Sequence, residues 1–325
     1  MKVKALSLFS GGLDSILAVK LIQEQHIQVE GVTFETPFFN AAKARISAKK
    51  IGLPLTVINI TQRHLEMLKA PRYGYGKNMN PCIDCHMLML NTAGRHMEQT
   101  GADLIITGEV LGQRPMSQTK QSLSLVAKNS GYPDVILRPL SARLLPETKP
   151  EREKQVDRSK LMAIQGRGRK TQIELAGHYV IKEYPAPAGG CLLTDPNFSK
   201  RLKDLFDHSP THNVRDIELL KLGRHFRIHE NAKCIVGRNQ SDNEALQALI
   251  QEGDLILYLE DARGPTVLVP YGCDDQTLFV TAELCCLYAH TPHGQPCKIR
   301  CKTDEITQTV IVNAARREEA ERMLI

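Results

Sequence analysis

Apolar positions in the first half of the chain follow two periods in turn. Residues 3–9 alternate and end in a β-rich run, and residues 15–25 place apolar side chains at helical spacing. The exchange then repeats. Residues 29–34 read as a strand, 41–52 as a helix, 55–60 as a strand, 103–107 as a buried parallel strand, 118–128 as a helix and 134–140 as a strand. A charged helix is expected over 149–164. This alternation predicts an α/β fold with a doubly wound parallel sheet, whose ligands bind beyond the carboxyl ends of the strands. The rhythm changes after Asp195-Pro196. A helix at 198–207, a break at 209–212, then strands, a helix at 241–250 and a strand at 254–260 predict a second, smaller α+β domain. The expected organisation is a first domain over 1–185, a linker over 186–210, a second domain over 211–272, and a β-rich extension over 273–325 ending in a helix at 313–324.

Between the first strand and the first helix stands Ser10-Gly11-Gly12-Leu13-Asp14-Ser15. The two glycines let the backbone turn sharply and approach a ligand. The helix start adds unpaired N–H groups and a positive dipole end, and the whole makes an anion site. It is not a Walker A loop, because the Gly-Lys-Ser/Thr ending is absent. The six residues resemble the signature of the PP-loop, or N-type ATP pyrophosphatase, family. Its members split ATP into AMP and pyrophosphate and adenylate a substrate oxygen. The resemblance implies an ATP-binding domain of the adenine nucleotide alpha hydrolase-like type over 1–185. It places Ser10, Gly11, Gly12, Asp14 and Ser15 on the pyrophosphate end, with Asp14 also helping to hold Mg²⁺. Phe34, at the tail of the second strand, reads as an adenine-side wall or as plain core.

Asn80-Pro81-Cys82-Ile83-Asp84-Cys85 follows a Gly/Asn-rich loop and precedes a helical pattern. Cysteines at a helix start are expected to gain thiolate character. The same spacing suits a metal, an iron–sulfur cluster, a redox pair or two buried thiols. A third candidate, Cys191, follows a Pro-rich approach and Gly189-Gly190. The Asn-Pro-Cys-x-x-Cys stretch resembles that of tRNA 2-thiouridylases, in which a cysteine at the second position handles sulfur. Some relatives use three cysteines to bind a four-iron four-sulfur cluster. The resemblance therefore implies Cys82, Cys85 and Cys191 as three ligands of a 4Fe-4S cluster, with a persulfide and disulfide pair as the alternative.

The loop after residues 103–107, from Gly108-Glu109 through Gln113 to Ser117-Gln118-Thr119, lies at a strand's carboxyl end. It resembles a segment of tRNA 4-thiouridine synthetases, as does Arg138-Pro139-Leu140. Gly108, Glu109, Gln113, Ser117 and Gln118 are then expected to line the nucleotide or uracil pocket. Ser117 as a helix cap is the plainer reading. Arg167, Arg169 and Lys170 form a basic loop suited to phosphates, or to a solvated turn. In the second domain Arg224, Arg227, Lys233 and Arg238 gather around the strands. The Val236-Gly237-Arg238-Asn239 run and the Asn243 to Leu246 segment resemble the NFACT-R domain, a predicted RNA-binding module. Cys285, Cys286, His290, His293, Cys297 and Cys301 are dense but irregularly spaced, so buried or surface thiols are expected there rather than zinc.

Composition narrows these readings. Aromatic residues make up 5% with no Trp, which disfavours a binder built on base stacking. The net charge of +6 permits a polyanionic partner. No apolar stretch is long enough for a signal or membrane segment, so a cytoplasmic protein with reduced cysteines is expected, without a membrane partner. The function these resemblances imply is ATP-dependent tRNA thiolation, with ATP, Mg²⁺ and a 4Fe-4S cluster as cofactors. The implied partners are tRNA, a sulfur donor (inorganic sulfide or a persulfide carrier) and a second copy in a homodimer. The rivals are a PP-loop ligase using ammonia and a non-catalytic RNA-binding protein with a degenerate loop.

Overall fold

The structure is a computed structural model, described over residues 3–184, 190–209, 211–289 and 295–325. Residues 185–189, on the approach to Cys191, lie outside the described residues, as do His290 and His293. The chain divides into two units, Met1–Thr194 and Asp195–Ile325.

The first unit runs β1 (Lys4–Leu8), α1 (Leu13–Gln23), β2 (Gln28–Glu35), α2 (Ala42–Ile51), β3 (Leu55–Asn59), α3 (Thr61–Lys69), α4 (Cys82–Thr100), β4 (Leu104–Thr107), α5 (Lys120–Ser130), β5 (Ile136–Leu137), α6 (Lys149–Arg152) and α7 (Lys170–His178). Its five strands pair in parallel in the order β3-β2-β1-β4-β5. Alternate residues of β1 serve opposite faces: Ala5 packs with Ile16 and Val19, Leu6 with Leu90, Ala93 and Val126. Both faces are therefore covered, as the near-continuous apolar strands require. The sheet is doubly wound, and its strand order reverses between β1 and β4. The loops after these two strands thus flank the switch-point crevice.

α4 is held by an unusual seat. A Cβ at Gly94, in the middle of the helix, would lie 2.1 Å from ring carbons of Tyr132, so the tyrosine ring rests directly on helix backbone.

The expected helix over 149–164 stops at Arg152. Thr148 and Glu151 form a capping box and Pro150 sits in the first turn, which starts the helix well. Lys154 then turns the chain with φ of 58°. The expected strand over 134–140 shrinks to Ile136–Leu137. The cap of α5 is Thr119, whose Oγ1 accepts from Ser122 N at 3.0 Å, and not Ser117.

The second unit runs α8 (Pro196–His208), α9 (Val214–Leu219), β6 (Arg224–His229), β7 (Ala232–Val236), α10 (Gln240–Ala248), β8 (Leu255–Leu259), β9 (Val267–Val269), α11 (Asp275–Leu287), β10 (Cys297–Lys302), β11 (Thr307–Val312) and α12 (Arg317–Met323). The strands form an antiparallel sheet in the order β11-β10-β8-β9-β7-β6. The stretch after residue 272 is less purely β than expected, because α11 packs its Leu278, Ala282, Leu284 and Cys285 into the sheet's core. Cys286 and Cys297 are joined by a disulfide, whereas reduced thiols were expected. Among the described residues no helix is long and apolar enough to cross a membrane.

Candidate active site

The loop after β1 is shaped by close backbone contacts. Gly11 has φ of +75°, and a Cβ there would lie 2.6 Å from Lys43 O, so only glycine fits. Ser47 Oγ, on α2, donates to Gly11 O at 2.8 Å and fixes the turn from behind. Ser15 Oγ donates to Gly12 O at 2.8 Å, and Ser10 Oγ lies 3.3 Å from Ser15 Oγ. Asp14 opens α1, where a carboxylate suits the dipole. Its Oδ2 accepts from Gln113 Nε2 at 3.1 Å, while its buried Oδ1 has no partner. An unmet acceptor of this kind is the mark of a site awaiting a ligand or water.

The loop after β4 meets this cradle directly. A Cβ on Gly108 would fall 2.5 Å from Ser15 N and 2.7 Å from Asp14 C. Next to it, buried Glu109 is held by three groups. Arg138 Nε donates to Oε2 at 2.9 Å, Thr107 Oγ1 to Oε2 at 3.1 Å, and His86 Nδ1 lies 2.9 Å from Oε1. The Arg138 guanidinium and His86 outweigh the cost of burial and hold the Glu109 carboxyl at about 2. Ser117 and Gln118 are buried beneath the loop, where Gln118 O accepts from Gly112 N. Phe34 is also buried, among Leu6, Val32 and Ile105, as the plain-core reading of this residue expects.

The thiols gather at the same end of the sheet. Cys82 and Cys85 stand in the first turn of α4, and Asp84 between them accepts from Arg72 N and Tyr73 N, both at 3.0 Å. Leu192 N donates to Phe38 O at 3.0 Å, which brings Cys191 beside the chain leaving β2. Asn78 Nδ2 donates to Thr194 O at 2.7 Å and secures it further. Cys85 feels both Cys82 and Cys191 electrostatically. The helix dipole does not win at Cys85: burial, then the neighbouring thiols, drives it far above the ordinary thiol range. Burial also raises Cys191 to about 11.

Cys85 Sγ lies 3.6 Å from Nε2 of His64, a fully buried histidine flanked by Phe38 and Phe39. Burial lowers His64 to about 4, so the pair rests as neutral thiol against neutral imidazole. Asn80 Nδ2 donates to Cys82 Sγ at 3.2 Å.

These contacts correct the expected cofactors. Among the described residues no three His, Cys, Asp or Glu side chains are grouped to hold a metal ion. Cys82, Cys85 and Cys191 are neighbours, but they are not grouped to hold a metal ion, and Cys85 Sγ is engaged by His64, so they do not form the expected 4Fe-4S site. Asp14 is likewise no part of a protein-built Mg²⁺ site. Of the dense cysteines after residue 272, Cys286 and Cys297 are consumed in the disulfide.

The basic residues are divided in their use. Arg167 and Lys170 are exposed on the loop into α7, and Arg169 is partly covered. In the second unit Arg227 is not free, since it grips Asp204 through Nε and Nη2 at 3.0 and 2.6 Å. Arg224 lies over the Tyr288 ring, and Arg238 pairs with Asp242 at 2.6 Å while remaining exposed. Lys233 is largely covered, and desolvation lowers it to about 8. Two histidines escaped the sequence reading: His64, 21 positions from Cys85, and His86, 23 from Glu109. Only His86 carried a signal, four residues after Cys82 on one helix face.

Residues 1–143 match the family model "Thiamine biosynthesis protein (ThiI)", and residues 223–323 match "NFACT protein RNA binding domain". A "Probable tRNA sulfurtransferase" of Caldanaerobacter subterraneus subsp. tengcongensis is 31% identical over 147 residues, covering 42% of this chain and 36% of the relative. A "tRNA-specific 2-thiouridylase MnmA" of Clostridium acetobutylicum is 34% identical over 127 residues, covering 33% of this chain and 36% of the relative. The chain thus spans about a third of the length of the curated relatives it matches. A solved 4-thiouridine synthetase–RNA complex with bound ATP aligns at 23% identity and a TM-score of 0.38, over 67% of this chain and 52% of that one. Residues 1–143 are thus similar to the ThiI family and residues 223–323 to the NFACT RNA-binding domain, one match in each of the two units.

Proposed function

We propose that the protein thiolates a tRNA uridine at the expense of ATP. The observation that carries the reading is the meeting of a phosphate cradle and a thiol group at one end of one parallel sheet. Gly108 touches Ser15, Gln113 binds Asp14, and Cys85 adjoins Cys82 and Cys191. ATP lies with its phosphates on Ser10, Gly11, Gly12 and Ser15, whose N–H groups and hydroxyls balance the charge of the leaving pyrophosphate. A uracil carbonyl oxygen attacks the α-phosphorus, pyrophosphate departs, and AMP becomes the leaving group that a carbonyl oxygen is not.

Sulfur arrives from a persulfide carrier or from inorganic sulfide. With a carrier, Cys85 Sγ attacks the outer sulfur as its own proton passes to the departing carrier sulfur, so the carrier leaves as a thiol and Cys85 holds a persulfide. The outer sulfur then displaces AMP from the uracil carbon. Cys191 attacks Cys85 Sγ, which frees the thiouridine and leaves a Cys85–Cys191 disulfide for an external thiol to reduce. Arg167, Arg169 and Lys170, with Arg224 and Arg238 of the second unit, contribute phosphate contacts to the RNA. Arg227 is withdrawn from that set by Asp204.

The test is ATP-dependent formation of thiouridine in tRNA, read by mass spectrometry of digested nucleosides, with tRNA-dependent pyrophosphate release measured alongside. Cys191→Ala is expected to release pyrophosphate but form no thiouridine from a persulfide carrier. An enzyme that uses ammonia would leave the thiol variants fully active, and that result would remove the sulfur reading.

A further inference from the structure

We propose that His86 is the proton acceptor for the uracil, taking the N3 proton as the carbonyl oxygen attacks ATP. The inference rests on the uridine reading above and adds a residue to it.

His86 stands on α4 one position after Cys85, a quarter exposed, at the thiol end of the helix. Its Nδ1 lies 2.9 Å from Glu109 Oε1. Glu109 is in turn fixed by Arg138 and Thr107, both bonded to its other oxygen. A carboxylate so held accepts the Nδ1 proton and fixes the tautomer, leaving the Nε2 lone pair free to accept a proton. Among the described residues no hydrogen bond engages Nε2. The network is far more elaborate than a surface histidine needs. Arg138 is buried, and it also donates to Leu123 O, so one guanidinium ties the carboxylate to α5. Glu109 follows Gly108, which rests on the backbone of Asp14 and Ser15. The histidine is therefore tied to the phosphate cradle through two consecutive residues.

The chemistry needs such a group. A neutral uracil carbonyl is a weak nucleophile, and N3 lies between its C2 and C4 carbonyls. When Nε2 takes the N3 proton, the N–H pair becomes a ring C=N bond and the carbonyl π pair moves to oxygen. That oxygen bonds the α-phosphorus while the bond to pyrophosphate breaks. After sulfur has displaced AMP, the imidazolium returns its proton to N3. The same base serves attack by either carbonyl.

The experiment measures tRNA-dependent pyrophosphate release in single turnover for the wild type, His86→Ala, His86→Gln and Glu109→Gln. Binding of a non-hydrolysable ATP analogue is followed by calorimetry. The expected result is a loss of about 10²- to 10⁴-fold in rate for both His86 variants, the range of general-base catalysis, with analogue affinity unchanged. Added imidazole should restore part of the rate in His86→Ala and none in His86→Gln, whose side chain fills the gap. Glu109→Gln should slow the step without a parallel change in KM for tRNA. A His86→Ala rate within threefold of wild type overturns the proposal, and so does a loss that imidazole does not relieve. If the wild type itself releases no pyrophosphate in response to tRNA, the uridine reading fails, and this proposal with it.

Discussion

Replacing Gly108 by alanine tests the joint between the two active loops. The added Cβ would lie 2.5 Å from Ser15 N, and 2.7 Å from both Asp14 C and Ser15 Cα. All three are backbone atoms, so no flexible side chain can yield. The φ of Gly108 is one that alanine accepts, since it lies outside the left-handed region. The effect is therefore steric alone. Ordinary carbon contacts need more than 3.4 Å, so the start of α1 must retreat by most of an ångström. Overpacking of this kind costs about 1–3 kcal/mol, a fall of roughly 2–12 °C in melting temperature for a unit of this size. A displacement near 1 Å in a phosphate cradle costs about 10²-fold in rate. The assay pairs a thermal melt with ATP-dependent pyrophosphate release, using Gly168→Ala as control, because a Cβ there meets nothing within 4 Å. Wild-type melting and turnover in Gly108→Ala would refute the claim that this glycine lies against the loop.

Arg138→Met leaves the Glu109 carboxylate buried without its main counter-charge, and denaturant unfolding should show a loss of about 3–5 kcal/mol. Acid unfolding carries two signatures. Glu109, lowered from 4.5 to about 2, contributes stability that is full above pH 4.5 and is lost as pH falls toward 2. His64, lowered from 6.5 to about 4 by burial, makes the unfolded state bind the extra proton between those values, so stability declines as pH falls from 6.5 to 4. Titration of His64→Asn should flatten that upper window and leave the lower one. Iodoacetamide at pH 8, followed by peptide mass spectrometry, should label exposed Cys273 before half-buried Cys85, whose thiol is held far above the ordinary range. Breaking the Cys286–Cys297 disulfide, which closes 11 positions of chain, should cost the second unit about 3 kcal/mol in a melt with and without reductant.

Much of the first unit was legible because its sheet is buried on both sides. The runs at 29–34 and 103–107 are apolar for that reason, and the glycines at 11 and 108 mark where backbone meets backbone. The failures have local causes. Residues 149–164 carry the charge pattern of a helix, but Lys154 takes a left-handed turn that composition does not announce. α11 was missed because both its faces are largely buried, which erases the amphipathic stripe that betrays a helix. In the site, spacing paired Cys82 with Cys85 at the head of α4, and the resemblance added Cys191, but neither carried the protonation of these thiols. Burial and His64 decide that, and both depend on contacts across the fold. His86 and Glu109 stayed invisible as a pair because it is the reversal of direction from α4 into β4 that brings the start of the helix to the end of the strand.

The seat of Tyr132 on Gly94 bears on how this protein is free to vary. Any side chain at 94 would collide with the ring at about 2 Å, and the helix involved carries Cys82, Cys85 and His86 at its other end. A lone change at 94 must turn the tyrosine ring out of its seat or push α4 away from it, and the second response would shift all three groups together. A lone truncation at 132 empties the space above the helix instead. The two positions are coupled through this contact, so substitutions that keep α4 in place should favour matched exchanges at 94 and 132. A directed-evolution library built on this scaffold would need to vary them as a single unit.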